Sequence, residues 1–176
     1  MQIFLVSRRH YSLSPCVNHM ELRPLHLSDS SSILEINEQG LPGTGKVSEE
    51  KVVNLLSYSS FAVGIFDDNS LLGFVICLPP KTAYESLNYR WFNERYSDFL
   101  YVDRVAVLAS FRNQQIGSRL YRAVIDEAAK LAVPVVAEVN LRPPNPDSVR
   151  FHERHGFSEV GQFEHKEKAV IMMLRQ

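Results

Sequence analysis

Phe99-Leu-Tyr-Val-Asp-Arg-Val-Ala-Val107 leads, after a short turn, into Arg112-Asn-Gln-Gln-Ile-Gly-Ser118, and an amphipathic run follows to Leu131. The first segment is apolar, aromatic and β-branched, which suits a buried strand. In the last, Ile116, Leu120, Ala123, Val124, Ala128 and Leu131 recur at spacings of three and four and form one apolar stripe. Pro134 stops that helix. The order is strand, polar loop, helix. At the helix start the backbone N–H groups of Gln114 to Ser118 lack intrahelical partners and sit at the positive end of the dipole. Gly117 lets a ligand approach the backbone, and Arg112 and Arg119 add positive charge. Such a loop suits a diphosphate.

A second segment lies downstream. Pro134-Val-Val-Ala-Glu-Val-Asn-Leu141 reads as another buried strand, and Asn145-Pro-Asp-Ser148-Val-Arg-Phe151-His152-Glu-Arg-His-Gly156-Phe157 follows it. Asn145 suits a helix N-cap, Pro146 the first helical position, Asp147 the positive end of the dipole and Gly156 the C-terminal cap.

Together the two segments resemble the GNAT superfamily of acyl-CoA-dependent N-acetyltransferases. The family's donor loop reads R/Q-x-x-G-x-G/A after a strand often ending L/V-A-V. Here Val105-Ala106-Val107 ends the strand and Arg112 to Gly117 forms the loop, with Gln115 in place of the first glycine. The family's later motif, N-x-x-A-x-x-L/F-Y-x-x-x-G-F, is matched by Asn145, Phe151, Gly156 and Phe157, with Ser148 for alanine and His152 for tyrosine. The resemblance covers roughly Met20 to Gln176 and implies one α/β (α+β) domain, a central twisted mixed β-sheet flanked by helices on both faces.

The resemblance also implies a set of contacts. Acetyl-CoA is the cosubstrate, and no metal is required. Val105, Ala106 and Val107 offer backbone to the acyl carbonyl where adjacent parallel strands splay. Arg112, Asn113, Gln114, Gln115, Ile116, Gly117 and Ser118 surround the diphosphate, and Asn145 and Phe151 complete the CoA side. His152 stands where many members use a tyrosine acid to protonate the leaving thiolate. Near neutral pH an ordinary imidazole is mostly deprotonated, so this role requires a raised pKa, from Glu153 or another carboxylate. Otherwise His152 merely orients the thioester, or is an exposed helix residue with solvent as the proton donor.

Length and composition bound the rest. With 176 residues and 45% apolar residues, the chain is sized for one domain with a core of its own. A formal net charge of −1 gives no support to nucleic acid or an anionic membrane as the main partner. Cys16 and Cys77 form no metal or redox spacing, and the expected compartment is a reducing cytoplasm. No apolar run reaches the length of a membrane span. Residues 1–19, with Arg8, Arg9 and a Ser/Pro-rich stretch, are expected to be an extension outside a domain spanning residues 20–176.

Three groups are candidates for the acceptor side. Asp103 and Glu138 are carboxylates inside apolar strands, where an unpaired charge is costly. Asp103 either pairs with Arg104 or acts as a base; Glu138 is a base, an acceptor ligand or part of a structural network. Pro79 to Ser97 concentrates Tyr84, Tyr89, Trp91, Phe92 and Tyr96. It reads either as a packed flap or as an acceptor-pocket wall in which Tyr84, Tyr89 and Trp91 make contact. The expected acceptor is a small-molecule or peptide amine, and a homodimer stays open as the oligomeric state. A non-catalytic acyl-CoA-binding regulatory module is the competing class, kept open by Gln115 and the missing tyrosine.

Overall fold

The central strand is β4 (Leu100–Val107), and the other elements are arranged on either side of it. The computed structural model describes residues 20–165 and 168–176. The expected extension, residues 1–19, lies outside them. A seven-stranded mixed sheet has the order β1-β2-β3-β4-β5-β7-β6. Its other strands are β1 (Met20–Pro24), β2 (Phe61–Asp67), β3 (Ser70–Leu78), β5 (Val135–Arg142), β6 (Ser158–His165) and β7 (Lys168–Arg175). The first strand ends at Pro24.

Helices cover both faces. On one side, α1 (Ser30–Gln39), α2 (Glu49–Tyr58) and α3 (Leu87–Asn93) supply Ile33, Ile36, Val52, Leu55 and Phe92 to a core that includes Phe74, Ile76 and Tyr101. On the other, α4 (Ile116–Leu131) and α5 (Pro146–Arg154) pack onto Val75, Val102, Val135 and Ala137. The α4 stripe differs from its sequence pattern at two places. Leu131, in the last turn, is 54% exposed, whereas Tyr121 is completely buried. A tyrosine reads as a polar-tipped residue in the pattern, but its ring occupies the sheet-facing side of α4.

Helix ends follow the chemistry expected of them. Ser48 accepts a bond from Lys51 N–H, Asn145 accepts one from Ser148 N–H, and Gly156 adopts φ +83° after α5. The segment from Pro79 to Ser97 is not a plain loop. Ser86 caps α3 by accepting from Tyr89 N–H at 3.3 Å. Tyr89 is 3% exposed, donates its hydroxyl to Pro79 O at 2.5 Å and accepts from Thr82 N–H at 2.8 Å. Trp91 stacks edge-on against Phe92 and lies so close to Gly161 of β6 that an added Cβ would come within 2.9 Å of its ring. Both residues tie α3 to the body of the fold.

Trp91→Ala is therefore expected to lower stability by about 2 kcal/mol or more, through lost burial and a cavity over Gly161. Donor and acceptor KM should stay unchanged. Denaturant unfolding and steady-state kinetics check this; a selective rise in acceptor KM at full stability would show a binding role instead.

Candidate active site

Strands β4 and β5 run parallel, yet they pair only at Leu100↔Val135 and Tyr101↔Val136. Beyond these rungs they diverge. The facing backbone edges of both strands then border a cleft of about 1340 Å³. Val102 to Val107 line it from β4, and Ala137 to Asn140 from β5. The loop from Gly40 to Lys46, the segment Tyr84 to Asn88, and Asn145, Ser148 and His152 close its sides.

A β-bulge shapes the β4 wall. Cys77 faces Val102 and the adjacent Ile76 faces Arg104, so Asp103 is an extra residue in the strand. In a regular strand Asp103 and Arg104 would point to opposite faces. The bulge brings them together, and Arg104 Nε donates to Asp103 Oδ2 at 2.8 Å. Arg104 also donates to Asn37 Oδ1 at 2.9 Å. Asn37 in turn donates to Gly45 O and accepts from Thr44 Oγ1 through its carbonyl. Of the two readings of Asp103, the structure supports the ion pair, whose second function is to tether the loop that borders the cleft.

Glu138 has different surroundings. Its Oε1 accepts from Tyr101 Oη at 2.9 Å and from Asn88 Nδ2 at 3.0 Å. Its Oε2 is buried and has no hydrogen-bond partner among the described residues. Burial pushes the carboxyl up to about 7, against the lowering effect of the Asn88 bond. Such a group takes and releases protons near neutral pH.

His152 is 4% exposed, so it is not the exposed helix residue of the sequence reading. Nor is its pKa raised: burial pulls the imidazole down to about 4, and no carboxylate counters it. Its Nδ1 lies 2.7 Å from Ser148 O, an acceptor, so Nδ1 carries the proton. Nε2 is then an acceptor, and the Tyr121 hydroxyl donates to it at 2.5 Å. Tyr121 lines the cleft from α4, and burial holds its phenol well above the ordinary tyrosine value. The protonated member of this pair is the tyrosine. Sequence reasoning missed Tyr121, although its buried ring lies one residue beyond the Leu120 of the apolar stripe.

The donor loop is divided. Val105, Ala106, Val107, Arg112 and Asn145 line the cleft. Arg112 also reaches Gln39 O at 2.5 Å. Asn113 and Gln115 both adopt φ +62°, which turns the chain into α4. Arg119 N–H is the first to close onto this turn, at Gln115 O. The N–H groups of Ile116, Gly117 and Ser118 therefore point out of the helix end. Ile116 is 1% exposed, so its side chain is core and only its backbone faces outward. Gln114 turns its side chain back to Ser110 O. Phe151 packs on Tyr121 and faces Gly117, where an added Cβ would meet its ring at 3.5 Å. On the acceptor side Tyr84 lines the cleft, but Tyr89 and Trp91 do not. Both are taken up by the packing of α3 described above.

A mixed sheet parts between two parallel strands with a helix N-terminus beside the gap, and solved structures share the overall fold. Ard1 from Thermoplasma volcanium superimposes with a TM-score of 0.72 at 17% identity, over 89% of this chain and 96% of that one. The ribosomal-protein-S18-alanine N-acetyltransferase from Escherichia coli gives 0.68 at 16% identity, over 89% and 92%. Arabidopsis thaliana Naa50 in complex with the bisubstrate analogue CoA-Ac-MVNAL gives 0.69 at 15% identity, over 89% and 98%. At such identities these likenesses show the fold. No curated protein is significantly similar in sequence to the chain. The acetyltransferase (GNAT) family model matches residues 32–157, and the chain belongs to that family. It is thus an enzyme of the acyltransferase class.

The family's first loop glycine corresponds to Gln115, which sits in the left-handed region at φ 62°, ψ 8°. A non-glycine residue pays ~1–2 kcal/mol there, partly offset by the lower unfolded-state entropy of any side chain relative to glycine. Gln115→Gly is expected to stabilise the protein by about 0.5–1 kcal/mol with unchanged acetyl-CoA affinity. Urea titration and calorimetry read the two quantities separately.

Proposed function

We propose that the protein transfers an acetyl group from acetyl-CoA to a primary amine by direct attack, with Glu138 as the general base. The observation that carries this reading is Glu138 itself: a carboxylate lining the cleft, with one oxygen held by two donors and the other unpaired. The outward N–H groups at the start of α4, with Arg112 beside them, suit the donor's diphosphate. The unpaired edge of β4 from Val105 to Val107 suits the thioester carbonyl. The Naa50 structure, whose analogue is CoA-Ac-MVNAL, and the E. coli S18-alanine N-acetyltransferase favour a peptide amine as acceptor.

Glu138 Oε2 takes a proton from the amine as the nitrogen bonds to the acetyl carbon. The C–S bond breaks with its electron pair going to sulfur. The thiolate takes the proton of the Tyr121 hydroxyl, which turns from His152 Nε2 to the sulfur, and the tyrosinate left behind regains a proton from solvent. His152 supports that hydroxyl as a neutral acceptor. Solvent exchange then resets both groups.

The sign of the pH dependence follows from the base. A carboxyl with a pKa of about 7 is inactive when protonated, so kcat rises as pH increases through that value. Glu138→Gln is expected to cost about 10²-fold or more in kcat and to remove this acid limb. Thiol release from acetyl-CoA, measured with peptides bearing free N-termini, lysine peptides and small amines, provides the assay. Full kcat in Glu138→Gln would overturn the assignment. Intact acetyl-CoA binding without thiol release for any amine would leave a binding module.

Gly117→Glu tests the donor site independently. It places bulk and negative charge beside the outward N–H groups of α4. Calorimetry should show acetyl-CoA binding abolished in a variant that unfolds like the wild type; retained affinity would place the diphosphate elsewhere.

A further inference from the structure

Three side chains from three elements form a continuous line into the cleft. His165 ends β6, Asn88 stands in the first turn of α3, and Glu138 is in the middle of β5. His165 Nε2 is 3.1 Å from Asn88 Oδ1, and Asn88 Nδ2 is 3.0 Å from Glu138 Oε1. An ionised carboxylate only accepts hydrogen bonds, so Asn88 must turn its NH₂ toward Glu138. Its carbonyl oxygen then faces His165, and His165 Nε2 must carry the proton. The histidine tautomer, the amide orientation and the occupied carboxylate oxygen are one linked choice.

We propose that Asn88 and His165 are positioning residues for the base: they hold Glu138 Oε1 so that Oε2 alone is presented to the amine. The proposal rests on the assignment of Glu138 as the base. Two donors, Asn88 and Tyr101, fill the directions around Oε1, whereas Oε2 has none. Without the His165 contact the Asn88 carbonyl loses its donor, and the amide is held by the carboxylate alone, so its position on Oε1 is less fixed.

The surroundings of Glu138 make the amide influential. From β4 it faces the hydroxyl of Tyr101 and the charge of Asp103, which opposes ionisation; Asp103 is itself neutralised in part by Arg104. Tyr84, before α3, is coupled to both carboxylates. From β7 its register neighbour is the apolar Met172. His165 acts from β6 only through Asn88. The Asn88 bond is the largest influence favouring the ionised form, ahead of that from Tyr101.

The test is a set of pH–rate profiles for the wild type, Asn88→Ala, His165→Leu, His165→Gln and Glu138→Gln, with KM for acetyl-CoA followed throughout. Asn88→Ala should move the acid limb of kcat upward by about one unit. That is roughly a tenfold loss below the limb, with recovery at high pH. His165→Leu should move it in the same direction by less. His165→Gln keeps a donor for Asn88 Oδ1 and should restore the wild-type profile. KM for acetyl-CoA should not change in any of them. An unmoved limb in Asn88→Ala, beside an inactive Glu138→Gln, overturns the positioning role and leaves the base in place. A uniform, pH-independent loss in Asn88→Ala and both His165 variants also overturns it, since that is damage to packing. Full activity in Glu138→Gln removes the base and this proposal with it.

Discussion

Two rungs of backbone pairing between β4 and β5, and no more, are the constraint on which the site depends. Buried N–H and C=O groups must find partners, so a sheet does not part in its middle without a compensating arrangement. Here the parting is stabilised from outside the gap. β3 holds the far edge of β4, β7 holds the far edge of β5, and helices seal both faces. What remains is a cleft bordered by two strand edges whose hydrogen-bonding groups face solvent or a ligand. The bulge at Asp103 belongs to the same construction, because it shifts the side-chain alternation of β4 at the level where the strands part.

Three ionisable groups that line the cleft illustrate how partners decide chemistry. Asp103 and Glu138 are both carboxylates in apolar strands, and burial penalises both. Asp103 meets a guanidinium that also donates to Asn37, and its charge is used to hold the Gly40–Lys46 loop. Glu138 meets only neutral donors, on one oxygen, and its proton is held loosely near neutral pH. His152 meets a carbonyl on one nitrogen and a phenol on the other, and its burial disfavours a second proton. It is a neutral hydrogen-bond acceptor toward its neighbour on α4.

Much of this was legible in the chain. The apolar run Pro134 to Leu141 reads as a buried strand, and Asn145, Pro146 and Gly156 mark the ends of α5 by local chemistry alone. The loop before α4 was legible because a glycine at the start of an amphipathic run marks it in the sequence. The side-chain partners were not. Tyr121 and His152 are separated by 31 residues, and Asn88 and Glu138 by 50, so only the packed sheet brings them into contact. Tyr89 and Trp91 misled for the opposite reason. An aromatic ring with a polar tip reads alike whether that tip meets a ligand or, as in Tyr89, the carbonyl of Pro79.

The parted sheet has a mechanical side as well. With β1 to β4 and β5 to β7 joined by two registered pairs at one end, the seven strands amount to two plates on a short hinge. Stiffness across the seam has to come from the helices that straddle it and from whatever fills the gap. A ligand lying between the two edges would supply rungs that the polypeptide omits, and for the duration of its stay would be a structural member of the sheet.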